Sequence, residues 1–333
     1  MPIISAAHEF NEDDLYVDLT RTLGIPLYLK CEGFNFSGSI KQKAALEMVE
    51  AAERSGLLGF DTILVESSSG NLGVALSVIA ASKGLRFVCV TDARCNQATR
   101  QVMEALGAEV HVVTEPDQKG GLLGARLAHV RRLCASDPRY LWLNQYLSDD
   151  NWRAHHRLTA PHIAAQFPDI GVLFVATGTA GTLMGCARWF AKHRPKVRIV
   201  AVDSVGSVTF GGPAQTRYIP GIGSGVRPPL LDESLVDEVI MVPEADTMRA
   251  CHRLVSHGLL FGGSTGTVLA GAERWLAERA PDDATIAVAI APDLGERYLD
   301  TLYQPDWIHR HFGPTELRRP AAAPDALTAR RNA

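Results

Sequence analysis

The chain has 333 residues, of which 46% are hydrophobic and 21% charged, with a formal net charge of −4. That composition belongs to a folded chain rather than a disordered one, and the length suits two α/β domains better than one core. The charge balance speaks against a nucleic-acid surface, no apolar run is long enough to span a bilayer, and the acidic first residues lack the apolar segment of a secretory signal; a cytoplasmic protein is expected.

Taken in chain order, Lys41 follows a Ser/Gly turn and opens a helix predicted over 42–52. Ile63-Leu64-Val65 reads as a strand, followed by a Ser/Gly turn and a helix over 72–81. Residues 86–90 and 109–113 read as further strands, with helices over 97–106 and 122–134. Residues 172–176 form a strand before a helix that begins near Gly181. Strands over 198–202, 239–242 and 285–290 and a helix over 265–278 complete the pattern. Buried strands alternating with crossover helices predict an α/β fold of two doubly wound domains with parallel sheets. The expected division is a large domain of residues 1–35 and 147–313 and a smaller, mobile one of residues 36–146. Residues 314–333 hold little to bury and are expected to be a poorly ordered tail.

The six cysteines form no C-x-x-C pair and no Cys/His cluster at zinc spacing, so reduced, buried thiols and no metal are expected. His155 and His156 are neighbours that point to different faces of a helix, and they read as structural or surface residues.

Four segments place small or hydroxyl residues at a helix start, where free N–H groups bind anions. The first is Asn35-Phe36-Ser37-Gly38-Ser39-Ile40-Lys41. Lysine forms Schiff bases with aldehydes once its amine is neutral, although a lone lysine at a helix start is an ordinary surface residue. The second is Glu66-Ser67-Ser68-Ser69-Gly70-Asn71, a set of donors suited to a carboxylate or to simple helix capping. The third, Thr177-Gly178-Thr179-Ala180-Gly181-Thr182, suits a phosphate but has neither P-loop nor dinucleotide spacing. The fourth, Gly262-Gly263-Ser264-Thr265-Gly266-Thr267, opens another helix.

In order and wording these segments resemble the fold-type II pyridoxal-phosphate (PLP) enzymes, the cysteine synthase and cystathionine β-synthase family. NFSGSIKQK resembles the lysine motif, SSGNLG the asparagine loop, TGTAGT the phosphate loop and GGSTG the serine that faces the cofactor's pyridine nitrogen. The resemblance implies pyridoxal 5'-phosphate as cofactor, with Lys41 as the Schiff-base lysine and later the base at Cα. It implies that Asn71 meets the cofactor's phenolic oxygen, and that Gly178, Thr179, Ala180, Gly181 and Thr182 hold its phosphate. Ser264 would meet the ring nitrogen, and Ser68, Ser69 and Asn71 would clamp the substrate carboxylate. Three residues depart from the family pattern: Phe36 where Pro is usual, and Gln42 and Lys43 where Asp and Arg are usual.

Further stretches, among them Asn144-Gln145-Tyr146 and Asn151-Trp152, resemble the branch of this family that joins O-phospho-L-serine to L-glutamate on the way to 2,3-diaminopropionate in siderophore synthesis. That branch implies β-replacement through an α-aminoacrylate, small amino-acid partners and a homodimer. A phosphate leaving group calls for a cation, for which Arg126 is the candidate, and the resemblance also brings Tyr146 near the substrate. A cysteine or cysteate synthase using sulfide or sulfite, or a serine/threonine dehydratase, stays open as an alternative.

Overall fold

The computed structural model describes residues 3–117, 121–279 and 285–313. Its strands are β1 (Tyr16–Asp18), β2 (Tyr28–Cys31), β3 (Ile63–Ser67), β4 (Arg86–Asp92), β5 (Glu109–Val113), β6 (Tyr140–Trp142), β7 (Ile170–Ala176), β8 (Arg198–Ser204), β9 (Glu238–Val242) and β10 (Ile286–Ala291). The helices are α1 (Leu19–Leu23), α2 (Lys41–Arg54), α3 (Asn71–Lys83), α4 (Gln97–Ala105), α5 (Gly121–Ser136), α6 (Asp150–Ala154), α7 (Ala160–Gln166), α8 (Gly181–His193), α9 (Glu244–Val255), α10 (Gly263–Arg279) and α11 (Pro305–Phe312). The tail predicted after Pro314 lies outside the described residues.

Among the described residues the strands form two sheets. One has four strands in the order β5-β4-β3-β6, all parallel. The other has six, in the order β1-β2-β10-β7-β8-β9, parallel except where β1 runs against β2. Strand side chains alternate between faces, and here both faces are dry. Phe174 joins the core on one side of the large sheet, while Leu173 and Val175 join the core on the other. In the small sheet Leu64 packs on one face and Ile63 and Val65 on the other. Two-sided burial is what makes these strands read as continuous apolar runs.

The elements β1, β6, α1, α6, α7, α9 and α11 are not among those predicted, and two further regions depart for a visible reason. β2 had no strand signal, because Lys30 interrupts its apolar run; Lys30 is nonetheless buried, donates to the Asp13 carbonyl and lies 3.4 Å from Glu32 Oε1. Between α6 and α7 the helix widens into a π turn, His155–Thr159. Pro161 sits in the first turn of α7 and has no N–H to continue the α ladder, which accounts for the widening. In both sheets the loops at the carboxyl ends of the parallel strands carry the small-residue segments, which is where open α/β sheets form their binding sites.

Candidate active site

Lys41 is the first residue of α2, and the turn before it is built by Asn35. The Asn35 side-chain carbonyl accepts from the Ser37 backbone at 3.1 Å and the Ser37 hydroxyl at 2.8 Å, while its amide donates to the Ser39 carbonyl at 3.0 Å. Gly38 supplies the left-handed residue of the turn, φ 67°. The turn is tied to the segment after β10, because Ile40 N–H donates to the Pro292 carbonyl at 2.7 Å and Leu294 N–H to the Gly38 carbonyl at 3.2 Å. Burial pushes the Lys41 amine down to about 8, against the pull of the Asp293 carboxylate. An amine lowered that far has an appreciable neutral fraction near physiological pH, the form that attacks a carbonyl, where an ordinary lysine has almost none.

The two departures after Lys41 anchor its helix. Gln42 Nε2 donates to the Phe10 carbonyl at 2.7 Å, and Gln42 Oε1 accepts from Ser37 N–H at 3.1 Å. Lys43 is buried and pairs with Glu32 Oε2 at 2.7 Å and with Asp13. Both side chains tie the start of α2 to residues 10–32.

Lys41 and the loop Gly178–Thr182 line one pocket, together with Ile40, Gly221 and Pro292. Ala180 caps α8 in the left-handed region, φ 67°, a strained conformation for a residue with a side chain. That twist brings the loop onto the free N–H groups at the start of α8. A Cβ on Gly178 would stand 3.4 Å from the Gly221 carbonyl, and one on Gly181 would stand 2.1 Å from Asn151 Oδ1. Among the described residues the Thr177 hydroxyl is buried without a hydrogen-bond partner. A narrow cradle of backbone donors facing a buried lysine with a lowered amine fits a phosphorylated aldehyde such as pyridoxal 5'-phosphate.

Asn71 begins α3, and Ser264 lies in the first turn of α10. One residue, in the stretch Asp293 to Asp300 that resembles the family but carries no role legible in the sequence, joins them. Asp293, buried just beyond β10, accepts from Ser264 Oγ at 3.0 Å, from Asn71 Nδ2 at 2.8 Å and from the Tyr298 hydroxyl. Arg297 donates from Nη1 to Asn71 Oδ1 at 2.7 Å and from Nη2 to the Ser37 carbonyl. The Asn71 amide is thus held at both ends. An acid directly after an apolar strand, at its carboxyl end, was the available signal for Asp293.

The serine segment divides its work. Ser68 Oγ accepts from Gly70 N–H at 3.3 Å and Gly73 N–H at 3.0 Å, so it caps α3; Ser69 stays half-buried at the turn. Glu66 points inward and accepts from Ser67 N–H at 2.7 Å, Trp142 Nε1 at 3.1 Å and Gln145 N–H at 3.0 Å. Burial raises its carboxyl to about 7.

Of the residues expected at the site, Lys41 and Gly178–Thr182 line the pocket, whereas Asn71, Ser264, Ser68, Ser69, Arg126 and Tyr146 are not among its lining residues. Arg126 is a buried residue of α5, with Nε 3.1 Å from Asp92 Oδ2 and, among the described residues, no hydrogen-bond partner for Nη1. The Tyr146 phenol is raised by burial, with Arg126 opposing that shift. Among the described residues no group of three or more His, Cys, Asp or Glu side chains is arranged to hold a metal ion, and no helix is long and apolar enough to cross a membrane. The six cysteines are free thiols, five of them buried.

Residues 16–292 match the family described as "Pyridoxal-phosphate dependent enzyme". The chain is 37% identical over 314 residues to the N-(2-amino-2-carboxyethyl)-L-glutamate synthase of Cupriavidus metallidurans, covering 92% of each chain. It is 38% identical over 286 residues to the synthase of the same name from Ralstonia nicotianae, covering 85% of this chain and 84% of that one. Among solved structures, an O-ureido-L-serine synthase superposes with a TM-score of 0.84 at 30% identity, over 91% of this chain and 96% of that one.

Proposed function

Because the chain belongs to the pyridoxal-phosphate dependent enzyme family, we propose that it is a β-replacing synthase that joins O-phospho-L-serine to the amine of L-glutamate, giving N-(2-amino-2-carboxyethyl)-L-glutamate. Its class, a PLP-dependent β-replacing synthase of amino-acid biosynthesis, follows from its relatives. The choice of substrates is supported by the names of the two bacterial relatives. The observation that carries the site is the shared pocket of Lys41 and the loop Gly178–Thr182.

When bound, the cofactor supplies an electron-withdrawing ring that acidifies the α-hydrogen of an amino acid joined to it. The residues of this chain bind, orient and move protons around it. Gly178, Thr179, Ala180, Gly181 and Thr182 hold the phosphate, Asn71 meets the phenolic oxygen and Ser264 the ring nitrogen. Ser69, with the N–H groups of the Ser68–Asn71 turn, orients the substrate carboxylate. Lys41, with its amine lowered to about 8, takes the Cα proton as phosphate departs from Cβ with the bonding electron pair. It returns that proton to Cα once the amine of glutamate has bonded to Cβ. Arg126 is already paired with Asp92, so we assign it a share in attracting the phosphate group rather than a direct hold on the cofactor, with Tyr146 beside it.

The test is product formation from O-phospho-L-serine with L-glutamate, sulfide or sulfite offered separately. Condensation with glutamate supports the proposal. Consumption of sulfide or sulfite with glutamate ignored would make the chain a cysteine or cysteate synthase, and pyruvate released without any nucleophile would make it a dehydratase. The proposal includes a homodimer, to be checked by sedimentation of the full chain.

A further inference from the structure

Behind the phosphate loop a file of buried polar groups leads away from the pocket. Thr182 lines the pocket, and its Oγ1 lies 3.2 Å from His155 Nε2. His155 Nδ1 lies 3.0 Å from Thr159 Oγ1, which in turn accepts from Lys43 Nζ at 3.4 Å. His155 and Thr159 are fully buried at the two ends of the π turn. Gly185 of α8 lets that turn approach, since a Cβ there would come 2.5 Å from His155 Cβ and 2.4 Å from the Trp152 carbonyl.

The polarity of the file follows from its inner end. An ammonium group only donates, and Glu32 and Asp13 keep Lys43 charged. Thr159 therefore accepts from Lys43, and among the hydrogen bonds of the described residues its own proton goes to His155 Nδ1. Were Nδ1 protonated, the Thr159 proton would be buried without an acceptor, at a cost of about 1–3 kcal/mol. So the single proton of the neutral ring sits on Nε2 and points at Thr182 Oγ1. Burial, with the charges of Lys43 and Lys41 nearby, keeps the ring neutral. Each hydroxyl that accepts becomes a better donor to the next group.

We propose that His155 is a positioning residue that carries hydrogen-bond polarity from Lys43 to Thr182, forcing the Thr182 hydroxyl to donate into the phosphate end of the pocket. The proposal rests on the cofactor reading above and deepens it. A hydroxyl that accepts from His155 and turns its own proton into the pocket suits an oxyanion, which only accepts, better than a neutral alcohol, which must also place a proton. The relay therefore favours pyridoxal 5'-phosphate over pyridoxal, which ends in a hydroxyl group.

Two measurements on the full chain test it. Nitrogen NMR of the apoprotein should show His155 with Nε2 protonated and Nδ1 bare across neutral pH; a proton on Nδ1 overturns the relay. Affinities of the apoprotein for pyridoxal 5'-phosphate and for pyridoxal should then be compared in His155→Phe and His155→Gln. We expect His155→Phe to cut the preference for the phosphorylated ligand about tenfold, the equivalent of about 1.4 kcal/mol. His155→Gln, whose amide N–H reaches toward the Nε2 position, should retain most of it. Equal losses for both ligands in His155→Phe would leave His155 a packing residue and overturn the proposal. Should the unaltered chain bind neither ligand, the cofactor reading falls, and the NMR result still decides the relay.

Discussion

Asn71 Nδ2 donates to Asp293 Oδ2 at 2.8 Å, across 222 positions of sequence. The bond joins the start of α3, which follows the small sheet, to the segment after β10 in the large one. Asp293 also accepts from Ser264 and Tyr298, so Asp293→Ala strips the acceptor from three donors in a buried place. Each orphaned donor costs about 1–3 kcal/mol, less than additively. Urea unfolding of the apoprotein should show a loss of several kcal/mol for Asp293→Ala, together with weaker cofactor binding. A loss within about 0.5 kcal/mol, the scale of an ordinary surface substitution, would contradict this account of the network.

Lys41 carries a pH signature. Its amine falls from an ordinary value of 10.5 to about 8 on folding, mainly through burial. The folded state therefore resists the charged form. The penalty is complete below about pH 8 and disappears as pH rises from 8 to 10.5, where the unfolded chain also loses its proton. Lys41→Met should stabilise the apoprotein at neutral pH by about 1–3 kcal/mol, and the gap should close toward pH 10.5. The same variant should lose the visible absorbance of lysine-bound cofactor. Thermal melts across that range, paired with spectra, check both outcomes; a stability gap that does not change with pH would refute the first.

The parts of this site that are contiguous in sequence were legible there. The Lys41 turn, the Asn71 turn, the loop Gly178–Thr182 and the start of α10 each have a local physical reason, a helix N-terminus reached through small residues. Strands with both faces dry announced the parallel sheets. What escaped was long-range. Asp293 and Arg297 act through Asn71, and their place after an apolar strand marks a candidate stretch without saying which residue they hold. His155 reads as one of two adjacent histidines until Thr182 arrives 27 positions later. β2 was hidden by Lys30, whose burial is intelligible only with Glu32 and Asp13 in place. Ser68 shows the other difficulty, because capping and anion binding use the same groups, and only the bonds to Gly70 and Gly73 reveal which it does.

Lys43 gives a third prediction. It lies in the first turn of α2, its side chain buried between Glu32 and Asp13. Removing one partner of a buried ion pair costs about 3–5 kcal/mol; Lys30 still stands 3.4 Å from Glu32 Oε1, so Lys43→Met should be destabilising chiefly through the charge it leaves on Asp13. Lys43 pulls the Asp13 carboxyl below its ordinary 3.8. A lowered carboxyl contributes stability that is complete above that value and fades as pH falls through the folded one. Lys43 itself is raised above 10.5, so its share persists through neutral pH and is lost only as pH climbs past that raised value. The difference between native chain and Lys43→Met should therefore be flat across neutral pH and shrink in acid. Denaturant melts would reject the assignment if the difference instead peaked below pH 4.

Gly181 gives the fourth. It opens α8 immediately after the strained Ala180, and a Cβ there would stand 2.1 Å from Asn151 Oδ1 and 2.5 Å from Asn151 Cγ. A flexible side chain could swing away, but Asn151 is buried. Its Nδ2 donates to the Gln145 carbonyl at 2.8 Å and to Thr179 Oγ1 at 3.1 Å. Displacing it breaks the bond that orients Thr179 in the phosphate loop. Gly181→Ala should cost about 1–3 kcal/mol in stability through that lost buried bonding and overpacking. It should also weaken pyridoxal 5'-phosphate binding by about tenfold or more, one such bond being worth about that factor. The double variant Gly181→Ala with Asn151→Ala removes the obstacle together with the bond. Stability should then recover in part, while Thr179 stays untethered and cofactor affinity stays low. Full recovery of affinity in the double variant would mean that the clash alone, and not the hold of Asn151 on Thr179, shapes the loop.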